Sequence, residues 1–304
     1  MPNELLTTII LSWNRPRLLD MTLRSYFATT QTPHEVIVVD NGSGSETLDV
    51  IQSWNATGNI DKLILLDDNE GGCAFNRAYP FVTGSYVHFS ENDLEYRPGW
   101  DTILLPKFLA FPRLGQLSLF APEPEHDKGE VWTRHRAGRA EAAGHVIRPT
   151  KHNVTTTCIV RRKVLDAVPW TNNESTGGFY MPNDSAYSAR IRRLGLVVAW
   201  NDTYVATNWG HNVEEWNSNL SYYLENYENK SWLGVDGLEE RLRLAGYRFQ
   251  RQPDGEVVAI VPALVPGTEG TAEAARHPAS VLIARSRTRL RQLIRYLAHV
   301  NLHR

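Results

Sequence analysis

Glu91-Asn92-Asp93 is the most pointed polar cluster of this 304-residue chain. In an extended segment, residues two apart face the same side, so both carboxylates can reach one site. Hard divalent cations take oxygen ligands, and Mg2+ commonly uses one or two carboxylates together with substrate phosphates. A solvated acidic turn is the bland alternative, and the apolar strand ahead of the triplet weighs against it. A further carboxylate, Asp184, lies in Pro182-Asn183-Asp184-Ser185. Asp184, Tyr187, Ile191 and Leu194 recur at helical spacing, which puts Asp184 on the core side of a helix that Asn183 or Asp184 could cap. His211, in Asn208-Trp209-Gly210-His211-Asn212, has aromatic neighbours able to stack on a sugar ring or to fill a core.

The elements that must position these groups alternate in the first third. Residues 5–12, 35–40, 61–66 and 84–90 read as apolar strands rich in β-branched side chains. Between them lie helical patterns. The first carries Leu19, Leu23, Tyr26 and Phe27 on one face, with Asn14 as its expected N-cap and Pro16 in its first turn. Strands spaced by helices predict a parallel sheet with right-handed crossovers. Ligands of such sheets bind outside the carboxyl ends of the strands. Those ends read Ser12-Trp13-Asn14, Asp40-Asn41-Gly42, Asp67-Asp68-Asn69-Glu70-Gly71-Gly72 and Glu91-Asn92-Asp93. Four polar ends on one edge say more than any single one.

Further along, helices are expected over 98–111, 183–194 and 214–249, and strands over 115–121, 154–160 and 196–200. Residues 122–152 read as a long polar loop, which in a compact domain is usually functional. Residues 266–279 look like a linker before a basic amphipathic helix near 281–302.

Composition narrows the classes. The chain is 42% hydrophobic and 22% charged, which excludes disordered, collagenous and coiled-coil chains. Its 32 basic and 34 acidic side chains give a net charge of −2, so no positive field gathers nucleic acid. Cys73 and Cys158 cannot build a disulfide scaffold and suit a reducing cytoplasm. Met1-Pro2-Asn3-Glu4 lacks the basic start of a secretory signal, and no apolar run reaches the 18 residues of a membrane span.

Together these pieces resemble the family 2 glycosyltransferases with the GT-A fold. The resemblance rests on TTIILSWNRPRLLDMTLRSY, EVIVVDNGSGSET, DDNEGGCAFNRAY, TGSYVHFSEND, FYMPNDSAYSARIRRLG and NWGHN, in that order across residues 6–211. It implies an α/β chain with a mostly parallel, Rossmann-like central sheet flanked by helices, and a helical C-terminal extension. It implies transfer of a sugar, with inversion, from a nucleoside-diphosphate sugar to an acceptor hydroxyl in carbohydrate biosynthesis. Ser12 and Asp40 would hold the base, and Asn69 and Gly71 would shape the loop beside the nucleotide. Asn14 and Asn92 would line the same site. Asp93 and Glu91 would bind a divalent metal, Mn2+ or Mg2+, which His211 would complete. Asp184 would be the catalytic base, and Trp209 and Trp132 would meet the acceptor. The chain departs from the family pattern at Glu91, where Asp is usual, and at Asn183, where the acidic pair keeps one carboxylate. Phe75 replaces an arginine near the diphosphate, which leaves Arg77 as a displaced substitute.

The expected organisation is a catalytic domain over 1–212, with a nucleotide half at 1–97 and an acceptor half at 98–212 that holds the variable loop 122–152. A mainly helical extension covers 213–304. The expected partners are the donor and a hydroxyl-bearing acceptor such as a glycan, a lipid-linked sugar or a natural product. The C-terminal helix suits a homodimer or a peripheral membrane contact, so a cytoplasmic protein with or without membrane association is expected. A nucleotidyltransferase would carry a glycine-rich loop after the first strand, and SWNRPR has no glycine. A non-catalytic sugar- or nucleotide-binding module is the other alternative.

Overall fold

Runs of β-branched and aliphatic residues lay down a nine-stranded sheet in the computed structural model, which describes residues 5–132, 134–173, 181–229 and 234–263. The strands are β1 (Leu6–Ser12), β2 (His34–Asn41), β3 (Lys62–Leu66), β4 (Tyr86–Glu91), β6 (Leu114–Ser118), β7 (Ala140–Ala142), β8 (His145–Pro149), β9 (Cys158–Arg161) and β12 (Val197–Trp200). Short pairs stand outside it: β5 (Leu94–Tyr96) with β13 (Ala206–Asn208), β10 (Asn172–Asn173) with β11 (Met181–Pro182), and β14 (Tyr247–Arg251) with β15 (Val257–Pro262). The helices are α1 (Pro16–Thr29), α2 (Ser45–Ala56), α3 (Trp100–Ala110), α4 (Arg162–Leu165), α5 (Asp184–Arg193), α6 (Val213–Ser218), α7 (Leu220–Asn229) and α8 (Gly234–Leu244).

The sheet order is β3-β2-β1-β4-β9-β6-β12-β8-β7. From β3 to β4 every pairing is parallel, as expected, and β12 pairs parallel with β6. β9 runs antiparallel between β4 and β6. This register sets Ser12 beside Asp40 and Leu11 beside Glu91, so the polar ends of β1, β2 and β4 share one edge. The helix rows pack on an apolar sheet whose centre is aromatic: the Phe89 ring meets Phe75 at 5.2 Å, Trp170 at 5.3 Å and Tyr187 at 5.8 Å. Phe75 is fully buried there, so the side chain that replaces the family arginine serves the core.

Several expectations need correction. Asn14 does not cap α1: Arg15 occupies that position, and the Asn14 carboxamide oxygen accepts from the Gly44 N–H at 3.1 Å instead. The helix after Asp67–Gly72 is a 3-10 helix, Gly71–Phe81, with Pro80 inside it. Proline has no N–H to continue an α-helical ladder. The 122–152 loop is partly folded, because β7 and β8 form a hairpin on the sheet edge. The helical run expected to reach residue 249 stops at Leu244. Gly246 takes a left-handed φ of +84°, and the chain turns into the β14–β15 hairpin.

After Asn212 the chain builds a second apolar cluster from Trp216, Tyr223, Tyr227, Leu238 and Leu242, joined by Val131 from the polar loop. The Thr176–Phe179 run, the 266–279 linker and the helix expected near 281–302 lie outside the described residues. Among the described residues no helix is long and apolar enough to cross a membrane.

Candidate active site

At the carboxyl ends of β1, β2 and β4, buried acceptor atoms stand without partners among the described residues: Ser12 Oγ, Asp40 Oδ1 and Asp93 Oδ1. Ser12 is 0% exposed, Asp40 1% and Asp93 6%. A buried acceptor without a donor is costly, and such groups in a folded chain call for an explanation such as a ligand. The other oxygens are engaged. Asp40 Oδ2 accepts from the Ser43 N–H at 2.9 Å, and Asp93 Oδ2 accepts from Arg15 Nη1 at 2.9 Å.

The loop after β3 is folded onto this edge. The Asn41 amide donates to Asn69 Oδ1 at 2.8 Å, and the Gly71 N–H donates to the same oxygen at 2.8 Å. The Glu70 N–H donates to Asn41 Oδ1 at 2.7 Å. Gly42 has φ +75°, and a Cβ there would meet the Asp68 carbonyl carbon at 2.9 Å, so this turn needs glycine. Asn69 and Gly71 thus hold this loop in shape. Asn14 and Asn92 also belong to the edge, since Asn92 Nδ2 donates to the Asn14 carbonyl at 2.9 Å. Arg77 does not reach the site as a diphosphate partner. It is exposed and bound to Glu70 through Nε at 3.0 Å and Nη2 at 2.6 Å.

Asp184 arrives from the other half. Asn172 Nδ2 donates to the Glu70 carbonyl at 2.9 Å, and a Cβ at Gly72 would lie 2.5 Å from Pro182 Cα. The β10–β11 pair is thus clamped to the loop after β3, and α5 starts beside it. Asn183 is the cap of α5, accepting from the Ala186 N–H at 2.9 Å. That leaves Asp184 free of capping. Its Oδ2 accepts from Asn153 Nδ2 at 2.6 Å. Burial pushes the Asp184 carboxyl above its ordinary range, against the opposing bonds from Asn153 and Ser185. Burial pushes the Cys158 thiol up to about 12, and the Asp184 and Glu91 carboxylates add to that rise. Replacing Asn183 by alanine should cost about 0.5–2 kcal/mol of stability, read from urea unfolding, because one N–H of α5 then loses its acceptor.

His211 and Trp132 stand together, ring centroids 4.3 Å apart. Trp209 is tied into the β5–β13 pair: its backbone N–H donates to the Asp93 carbonyl and its indole N–H to Glu95 at 2.9 Å. The proposed metal ligands are not assembled as a set. Among the described residues no three His, Cys, Asp or Glu side chains come close enough to hold an ion, and Asp93 carries a guanidinium. A Mg2+ or Mn2+ that shares its shell with substrate phosphates needs only one or two carboxylates, and the buried, unpartnered Asp93 Oδ1 is an oxygen such an ion would take up.

Sequence reasoning missed Arg15 and Asn153. Arg15 and Asn153 read as ordinary loop polars, and only the tertiary fold sets them on Asp93 and Asp184.

The sequence profile described as glycosyl transferase family 2 matches residues 7–168. The chain belongs to this family. The match spans β1 through the start of the segment that carries Trp170, so it includes every strand end described above. An uncharacterised glycosyltransferase of a Nostoc species is 30% identical over 95 residues, and the matched segment spans 31% of this chain and 29% of that relative. Among solved structures, TarS of S. aureus (residues 1–349) superposes with a TM-score of 0.50 at 12% identity, over 79% of this chain and 70% of that one. A mannosyltransferase of Pyrobaculum calidifontis, solved with GDP-Man and Mn2+, gives 0.45 at 18% identity, over 74% and 61%. The TarS likeness shows the GT-A fold expected of a family 2 member.

Proposed function

We propose that this family 2 member transfers a sugar from a nucleoside-diphosphate sugar to an acceptor hydroxyl, with inversion, and that Asp184 is the base. The observation that carries this is the row of unpartnered acceptors on Ser12, Asp40 and Asp93 along one sheet edge, together with a separate, half-buried carboxylate at the start of α5. Asp40 offers its Oδ1 to a donor N–H, as a nucleobase ring or amino group presents, and Ser12 lies next to it in register. Asp184 accepts the proton of the attacking hydroxyl. Burial favours its neutral form, so the carboxylate is a stronger proton acceptor than an exposed one. One base opposite the leaving group suffices for a single in-line displacement, which inverts the sugar carbon. Trp209 and Trp132, beside His211, are the aromatic surfaces available to an acceptor. Asp93 and Glu91 would hold a divalent ion beside the diphosphate, where it would supply positive charge for the leaving group.

The test is a thermal-shift panel of nucleoside diphosphates and their sugars on the full chain. A ligand at 100 times its dissociation constant adds about 2.7 kcal/mol. For a chain of this size that is a rise of several degrees, shown by one base and not the others. A flat panel across all bases would remove the donor reading.

A further inference from the structure

Arg15 stands where β1 passes into α1, in a conformation the chain adopts only under constraint. Asn14 and Arg15 both have left-handed backbone, φ +53° and +58°. Residues with side chains rarely occupy this region, and they stay there when surrounding contacts over-determine them. The contacts are specific. The Asn14 N–H donates to Ser43 Oγ at 2.8 Å, and the Asn14 carbonyl accepts from Asn92. Arg15 Nη1 donates to Asp93 Oδ2 at 2.9 Å and Nη2 to Asn92 Oδ1 at 2.6 Å. The guanidinium thus spans the last two residues of the acidic triplet, at the edge where the unpartnered acceptors stand.

Its surroundings balance its charge and leave it capacity. A guanidinium stays charged throughout the working pH range, and the Asp93 carboxylate is its counter-ion at 2.9 Å. Arg15 Nε is buried without a partner among the described residues. The start of α1 has no side-chain cap and no acidic residue in its first turn, so its positive end is uncountered at the same point. Nearby, the buried Glu215 is taken by Arg17. Arginine's planar fork matches phosphate oxygens, and its five donors exceed those that Asp93, Asn92 and Tyr223 take.

We propose that Arg15, held on Asp93 and Asn92, is a positive charge this chain presents to the donor's diphosphate. The proposal rests on the sugar-transfer reading above. Asp93 then orients the guanidinium through one oxygen, and Asn92 fixes the other arm. As the bond to the sugar breaks, the electron pair leaves with the diphosphate, and the guanidinium is a resident cation that meets that charge. Arg15 gives up no proton.

Two measurements test it on the full chain. Isothermal titration in EDTA compares UDP, GDP, CDP, ADP and dTDP with their nucleosides. For the recognised base, the diphosphate should bind at least about tenfold more tightly than the nucleoside, the equivalent of one charge-assisted hydrogen bond. Arg15→Gln should close that gap and Arg15→Lys should keep part of it. Electron paramagnetic resonance then follows Mn2+ binding without nucleotide, which should be stronger in Arg15→Gln than in the native chain, because Asp93 is released. The native chain alone can overturn the proposal. Equal binding of diphosphate and nucleoside in EDTA, with a gap opened only by Mn2+, would put the charge on the metal and leave the transfer reading intact. If no nucleoside or diphosphate binds with or without Mn2+, the donor reading falls and the role of Arg15 falls with it.

Discussion

Replacing Asp184 by asparagine is expected to lower turnover by about 10²–10⁴ while donor affinity stays near its native value. The substitution keeps the side-chain volume and an oxygen that can still accept from Asn153 Nδ2. It leaves the α5 cap alone, because Asn183 does the capping. What disappears is the proton acceptor. The pH dependence gives an independent reading. Burial holds the Asp184 carboxyl above its ordinary value of 3.8, so the rate should fall as pH drops through a value higher than that, and this limb should vanish in the asparagine variant. The stability effect has the opposite sign to that of a salt-bridged aspartate. The folded chain holds this proton more tightly than the unfolded one. Stability from this group therefore grows as pH falls through the window between 3.8 and the raised value. Near-native turnover in Asp184→Asn would return this carboxylate to a structural role.

The half of the fold that carries the site was legible because β1, most of β2 and β4 are buried. Leu6–Ser12 and His34–Asn41 carry the apolar runs Ile9–Leu11 and Val36–Val39 with polar residues at the carboxyl end, a pattern that parallel strands covered on both faces impose. Strand direction was not legible. VTTTCIV announces a strand, but nothing in its own pattern says that Cys158–Arg161 enters antiparallel between β4 and β6. The β7–β8 hairpin was hidden because its residues are mostly half-exposed at a sheet edge and so carry little apolar signal. The site divides in the same way. Asp40, Asp93 and Asp184 are named by their places at element ends, which local sequence defines. Arg15 and Asn153 acquire their roles from residues 78 and 31 positions away, and no spacing rule reaches that far.

Gly210 is where the least atomic change should do the most damage. A Cβ there would fall well inside contact distance of Asp93 Oδ2, 3.0 Å from Asp93 Cγ and 3.2 Å from Asn208 Oδ1. Asp93 has little room to yield. Its side chain is short and 9% exposed, its carbonyl is held by the Trp209 N–H, and its Oδ2 is the oxygen that binds Arg15. Gly210→Ala should therefore push the carboxylate off the guanidinium and leave a buried arginine without its counter-charge. Breaking a buried pair from one side costs about 3–5 kcal/mol, and because Arg15 is itself 23% exposed the lower end applies. At about 1.5–2 °C per kcal/mol for a chain of 304 residues, the melting temperature should drop by roughly 4–6 °C. Turnover should fall with it, since the same movement misplaces the charge at the diphosphate and the acidic triplet together. A calorimetric scan and a donor-binding titration on Gly210→Ala read both effects. A variant with native melting temperature and native diphosphate affinity would mean that the turn carrying Gly210 yields instead of Asp93, and that the pairing of Arg15 with Asp93 does not depend on the close approach of this backbone.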